Sequence, residues 1–211
     1  METLREWFHF ITDVRGLVQW GGYLALAIIV FTETGLMIGF FLPGDSLLVT
    51  AGLFAAKGDL NIVVLNLLLM FCAITGDATG YYIGKKLGPA LFRKEDSMFF
   101  KKKHLIATQE FYERHGGKTI IIARFVPIIR TFAPVVAGMA NMSYKRFALF
   151  NIVGGIGWVF SMTMIGYSLI KIFPDAEKHI HIIIIVVIVL SILPGVIEVL
   201  RARMRKTPPT P

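Results

Sequence analysis

The chain has 211 residues, of which 55% are hydrophobic and 17% are charged. Soluble domains carry about 25% charged residues, so this composition indicates an all-α polytopic membrane protein. The net charge is +8, but the basic residues cluster beside apolar stretches, as cytoplasmic loops do. Nucleic acid is therefore not expected as a partner. The single cysteine, Cys72, excludes an intramolecular disulfide and a cysteine metal site.

The N-terminal third predicts an interfacial helix followed by a broken apolar segment. Residues 1–21 lack a signal-peptide core and suit an amphipathic helix at the membrane surface. The segment 22–57 contains Glu33 and then a Pro-Gly-Asp break at 43–45. Residues 46–56 are too short to cross a bilayer, which takes ~20 residues. The segment is therefore predicted to be re-entrant, with one long helix kinked at the proline as the alternative.

A transmembrane helix is predicted over 60–84. Glycines recur every fourth residue from Gly76 to Gly88, which puts them on one face for close helix packing. Asp77 faces another direction and is interpreted as an interfacial acid near the end of the span. Residues 85–118 are basic with interleaved aromatic residues, which is typical of helices on the cytoplasmic leaflet that bind anionic lipid.

A second broken apolar segment, 119–142, carries two arginines and two prolines: Arg124, Pro127, Arg130 and Pro134. An arginine at membrane depth costs ~2.5–3.5 kcal/mol on insertion scales. Each proline also gives up a helical hydrogen bond that lipid cannot replace. These costs favour a second re-entrant segment, buried among other helices. Interrupted segments in both halves predict that the two meet near the membrane midplane.

The remaining elements are two transmembrane helices and a tail. They are predicted over 147–170 and 180–200, with a cytoplasmic tail at 202–211. The membrane domain then spans 22–201. Counting crossings back from the tail puts the basic loop on the cytoplasmic side and the N-terminus outside, unless 22–42 is a true span.

Four charges define the candidate site: Glu33, Asp45, Arg124 and Arg130. Opposite charges within ~4–6 Å offset the cost of desolvation. The planar arginine fork suits a phosphate group. The arginines are therefore predicted to bind phosphate, and the two acids to gate it by taking up protons. The alternative is a charge cluster that only locks the two segments together.

The substrate is expected to be an amphiphile, because a site between re-entrant segments would open to lipid. No ATP-binding loop or lipid-phosphatase cluster occurs, so no enzyme is predicted, and the coupling ion would be H⁺ or Na⁺. No cofactor or metal is expected, since His179 and His181 are only two ligands. An Ala-Gly pair shared by both halves, at 51–52 and 137–138, indicates an internal repeat by pattern alone.

These motifs resemble the DedA family of bacterial inner-membrane proteins. The resemblance covers about residues 24–158. It rests on Glu33, Phe41 to Asp45, Ala51, Gly52, Gly76, Asp77, Gly80, Tyr81, Gly84, Arg124, Phe125, Pro127, Arg130, Thr131, Ala133, Pro134, Ala137, Gly138, Asn151, Gly154 and Trp158. It implies that the two acids and two arginines are the family's essential residues. Supporting roles are assigned to Pro43, Gly44, Asp77, Pro127, Thr131, Pro134, Asn151 and Trp158.

The resemblance implies a transporter of phosphorylated lipid in the bacterial cytoplasmic membrane. Undecaprenyl phosphate recycling for envelope synthesis is the family's best-defined task, and phosphatidylethanolamine is another substrate. Some members instead affect the proton motive force or drug resistance. Three hypotheses follow: a lipid-phosphate translocase or phospholipid scramblase, a cation or drug antiporter, and an assembly protein without transport. The sequence is also compatible with a homo-oligomer.

Overall fold

A computed structural model of the chain describes residues 14–36, 44–93, 120–121, 124 and 127–172. This part of the chain is helical and contains no strand. Its main helices are α1 (Val14–Gly35), α2 (Gly44–Lys57), α3 (Ile62–Arg93), α4 (Pro127–Met139) and α5 (Tyr144–Ile172). The predicted span at 180–200, the tail, most of the basic loop, residues 1–13 and Pro43 lie outside the described residues.

Helix α1 is kinked at Gly22, where φ is 48° and ψ is −134°. Glycine adopts this backbone region without steric cost. The kink divides α1 into two helical parts and falls where residues 1–21 were expected to end. After α1 ends at Gly35, the next described helix begins at Gly44.

Helix α2 is a core helix. Its residues from Gly44 to Ala55 are all buried, and a helix that is apolar on every side needs neighbours all round. It has 14 residues, fewer than the ~20 that cross a bilayer. It stops at Gly58, which has a left-handed φ of 93°, and the N–H of Asp59 donates to the carbonyl of Phe54 at 3.1 Å.

Helices α3 and α5 are long and apolar enough to cross a membrane. The side chain of Asn61 caps α3 by accepting from the N–H of Val63 at 2.9 Å. Val63, Leu67 and Phe71 follow one face of α3 and are more than 60% exposed. Such a face is costly in water and suits lipid. The helix extends beyond its expected end at 84, up to Arg93.

Each short helix packs against the long helix of the other half of the chain. Gly52 of α2 lies against the carbonyl of Thr163 in α5, and Gly166 of α5 lies against the carbonyl of Val49 in α2. A Cβ at either glycine would overlap that backbone, so glycine permits the close approach.

Helices α4 and α3 repeat this arrangement. Gly138 of α4 lies against the carbonyl of Tyr81, and Gly84 of α3 lies against the carbonyl of Val135. Valine precedes glycine by three residues in both short helices, and both long helices keep the same three-residue spacing between the contacted carbonyl and the glycine. The repeat indicated by the Ala-Gly pairs is therefore supported by matched packing in both halves.

The predicted glycine face of α3 is used for packing. Gly76 lies against Thr34 and Gly35 of α1, and Gly80 lies between Gly35 and the side chains of Pro134 and Val135 in α4. Helix α3 therefore holds α1 and α4 together, and this brings the end of α1 near the start of α4.

Candidate functional site: two buried arginine centres

The first centre forms where three helix ends meet, and we call it the Arg130 centre. It consists of Arg130 in the first turn of α4, Asp45 in the first turn of α2, Glu33 in the last turn of α1 and Trp158 of α5. Arg130 Nη1 donates to Asp45 Oδ1 at 2.5 Å. Its Nη2 donates to Glu33 Oε1. All four side chains are buried, so the charges are paired where water cannot solvate them.

Two helix N-termini point into the Arg130 centre. Asp45 and Arg130 lie in the first turns of α2 and α4, and their side chains touch, so these two helix starts are adjacent. A helix N-terminus carries about half a positive charge and unpaired N–H groups. These helix ends add positive potential around Arg130, and this favours anions such as the two carboxylates.

Trp158 and Gly44 fix the positions of the carboxylates. The indole Nε1 of Trp158 donates to Asp45 Oδ1 at 2.8 Å. A Cβ at Gly44 would overlap the carboxylate of Glu33. The absence of a side chain on Gly44 therefore lets Glu33 lie against the start of α2.

The second centre, called the Arg124 centre, consists of Arg124, Asp77 and Asn151. Arg124 Nη2 donates to Asp77 Oδ2 and to Asn151 Oδ1. The Asn151 side chain also donates through Nδ2 to the carbonyl of Ile74 at 2.9 Å. All three residues are buried. This network links the chain just before α4 to both long helices.

One face of α5 connects the two centres. Asn151 contacts Arg124, Gly154 and Gly155 leave room for its guanidinium, and Trp158 contacts the Arg130 centre. Trp158 comes seven positions after Asn151, so the centres lie ~10 Å apart along the helix axis at 1.5 Å per residue.

The two centres together contain more acids than arginines. Among the described residues, the buried ionisable side chains with full charges are Glu33, Asp45, Asp77, Arg124 and Arg130. With all of them ionised, the cluster has one excess negative charge. The described residues contain no group of three or more His, Cys, Asp and Glu side chains that could hold a metal ion.

Several polar atoms in the centres have no hydrogen-bond partner among the described residues. They are Glu33 Oε2, Arg130 Nε, and Nε and Nη1 of Arg124. A buried group left unsatisfied costs about 1–3 kcal/mol. The centres therefore have unused donors on both arginines and one unused carboxylate oxygen.

The structure corrects one sequence interpretation and shows where each arginine lies. Asp77 was expected to be an interfacial acid near the end of a span, but it is buried and pairs with Arg124. The error arose because α3 runs on to Arg93, which places Asp77 well inside the helix. The two arginines lie in separate networks, since Arg130 pairs with Glu33 and Asp45 while Arg124 pairs with Asp77.

Three other supporting residues lie in α4 with Arg130. Thr131 is buried beside it in α4, and α4 begins at Pro127. Pro134 lies inside α4 against Gly80 of α3. Proline lacks the N–H that would donate to the carbonyl of Arg130 four residues earlier.

A further buried polar pair was not recognised in the sequence. Thr163 Oγ1 and Asn66 Oδ1 are 2.9 Å apart, which joins α5 to α3 close to the Gly52 contact. The signal was available, because Asn66 is a polar residue within an apolar span. Such a residue needs a partner in a membrane.

The chain is similar to known membrane proteins. The VTT domain family matches residues 42–168. Protein DedA of Escherichia coli K12 is 49% identical over 181 residues, or 85% of this chain and 82% of that protein. An uncharacterized membrane protein of Mycobacterium leprae is 46% identical over 82% of this chain and 77% of its own length. The inner membrane protein YqjA of E. coli K12 is 34% identical over 71% and 68%, respectively. No solved structure matches the chain.

The apolar helices and the buried charge centres define a helical membrane protein. The chain belongs to the DedA family and carries its VTT domain. The resemblance inferred from the sequence motifs is thereby confirmed.

Proposed function

We infer that the protein translocates a phosphorylated lipid across the bacterial cytoplasmic membrane, with undecaprenyl phosphate as its substrate. The observation that carries this inference is the meeting of two helix N-termini at a buried arginine, formed by Asp45 and Arg130. Helix N-termini and a guanidinium group are both suited to phosphate oxygens. No covalent chemistry is assigned to the site.

The substrate is proposed to be a lipid because the short helices would enter the membrane without crossing it. Helices α2 and α4 have 14 and 13 residues, too few for a span of ~20 residues. We propose that they are the inner arms of two re-entrant segments that meet near the midplane. A headgroup could reach the arginines from the side while its chains stay in lipid.

Protons are proposed to accompany the phosphate. The centres already carry one excess negative charge when all five groups are ionised, so an arriving phosphate would be repelled. Glu33 has a carboxylate oxygen without a hydrogen-bond partner, and protonation there would remove one negative charge. The acids Glu33 and Asp45 would then release Arg130 to the substrate.

The test is transbilayer movement of undecaprenyl phosphate in liposomes that contain the purified protein. Arg130→Lys keeps the charge but loses the planar fork, and Glu33→Gln keeps the shape but loses the charge. Both variants are expected to fold and to slow the movement at least tenfold. Arg146→Lys makes the same substitution at an exposed position and should move lipid at the wild-type rate.

Each result has a defined meaning. Movement by the wild-type protein that also occurs with the unphosphorylated polyprenol would show a general lipid pathway rather than phosphate recognition. No movement of either lipid by the wild-type protein would overturn the proposal.

One observation favours a second candidate, a cation antiporter. Three buried acids against two arginines leave a negative site, which would attract a small cation or a cationic drug. In that case Arg130→Lys would retain activity, because the arginine would only tune the acids. Cation-dependent collapse of a proton gradient in the same liposomes, without lipid movement, would establish this function.

A further inference from the structure

Within the described part of the chain, one of the three nitrogens of the Arg124 guanidinium has hydrogen-bond partners. Asp77 and Asn151 both accept from Nη2, while Nε and Nη1 are buried without a partner among the described residues. A strong arginine–carboxylate pair uses two parallel donors. An anion with more acceptor oxygens can therefore replace the Asp77 carboxylate at Arg124.

Gly154 and Gly155 of α5 lie against the Arg124 side chain. A Cβ at Gly155 would lie 3.5 Å from Arg124 Cζ and Nη1, and one at Gly154 would lie 3.3 Å from Nε. Neither glycine has a side chain that could accept from these donors. Within the described residues, Nε and Nη1 therefore remain without an acceptor.

We propose that Asp77 is an internal competitor of the substrate, a role that rests on the proposed function. Its carboxylate occupies Nη2 of Arg124 while no phosphate is bound, and it is displaced when a phosphate accepts from Nη2 and one neighbouring nitrogen as a pair. Asn151, tied to the carbonyl of Ile74, keeps the guanidinium in place during the exchange. Asp77 thus limits affinity and speeds release, and it is a positioning residue rather than a second phosphate ligand.

The experiment measures binding and movement with the same full-length chain. Undecaprenyl phosphate is titrated into purified protein in nanodiscs, with inorganic phosphate and unphosphorylated polyprenol as separate arms. Asp77→Asn should lower the Kd for the phosphorylated lipid about tenfold or more, because the competing charge is gone. Movement in liposomes should become slower, because release is slower. If the Asp77–Arg124 ion pair were only structural, its loss would not raise the affinity for the lipid while lowering the rate of movement.

Two variants serve as controls. Thr163→Val removes another buried side-chain hydrogen bond between the long helices and should leave the Kd unchanged. Asp77→Asn combined with Arg124→Gln should lose the gain in affinity, because the gain depends on the freed arginine. A tightening that persists without Arg124 would overturn the proposal.

The remaining outcomes separate this proposal from the proposed function. If the wild-type protein binds the lipid but Asp77→Asn binds it equally or more weakly, only the competitor role fails. If the wild-type protein binds no phosphorylated lipid, both fail. A further outcome is that the protein binds inorganic phosphate and not the lipid, with a lower Kd in Asp77→Asn. That result would keep the competitor role but make free phosphate the substrate in place of the lipid.

Asp77→Asn leaves a buried arginine unpaired and could fail to fold in detergent. Undecaprenyl phosphate added during purification should then restore a single folded species in size-exclusion chromatography, since its phosphate takes the place of the missing carboxylate. Polyprenol should not restore it. No recovery with the phosphorylated lipid would overturn the proposal.

Discussion

The guanidinium of Arg130 lies over the indole ring of Trp158, with Cζ 4.5 Å from the ring centroid. The same indole donates to Asp45, which Arg130 also contacts. A single side chain of α5 thus holds both members of an ion pair that joins α2 to α4. A desolvated cation–π contact stabilises by about 2 kcal/mol or more.

Replacing Trp158 by phenylalanine should separate these two contacts. The ring remains beneath Arg130, but Asp45 loses its indole donor, and a hydrogen bond to a charged group is worth about 1.5–3 kcal/mol. We expect folded protein with lipid movement reduced about tenfold. Trp158→Ala should instead lower the amount of folded protein, because a buried Trp→Ala change costs about 3–5 kcal/mol. Equal movement by Trp158→Phe and the wild type would refute the donor role.

Gly44→Ala should disable the Arg130 centre through Glu33. The added methyl group would overlap the Glu33 carboxylate and push it away from Arg130. We expect loss of lipid movement in liposomes. Adding Glu33→Asp shortens the acid by one methylene group and should restore part of the movement. If the double variant is no better than Gly44→Ala alone, the overlap is not the cause.

The matched glycine contacts in the two halves should be equally sensitive to an added methyl group. Gly52→Ala and Gly138→Ala each place a methyl group against a backbone carbonyl, and such overpacking costs about 1–3 kcal/mol. Both variants are expected to lower the melting temperature in detergent by similar amounts. Gly157→Ala is the control, since nothing lies within 4 Å of its added Cβ. Its melting temperature should be unchanged or higher, because alanine favours helix by about 0.5–1 kcal/mol.

The exposed face of α3 should contact lipid. A spin label at Leu67→Cys, with Cys72→Ala to remove the native thiol, is expected to collide more with oxygen than with a water-soluble nickel chelate. Leu67 is 66% exposed on a helix long enough to span the membrane. A label at Lys86→Cys, near the end of that span, should show the opposite preference. Strong nickel access at Leu67 would contradict a lipid-facing surface.

Much of the Arg130 centre could be predicted from the sequence, because charges in apolar segments must find opposite partners. The placement of the two arginines in separate centres could not be predicted. Arg124 and Arg130 are six residues apart, and the start of α4 lies between them. They therefore face different helices, and spacing alone does not reveal this. Asp77 was misplaced because the span was predicted to stop at 84, whereas α3 continues to Arg93.

The exchange of packing partners between the halves has a consequence for biosynthesis. Helix α4 emerges from the ribosome after α3, so its partner is already in the membrane. Helix α2 is made long before α5, and its buried surface has to wait for that helix. Domains synthesised first usually fold first, but here the N-terminal half completes its core only when the C-terminal half arrives. Chaperones or the insertion machinery would have to protect α2 during that interval.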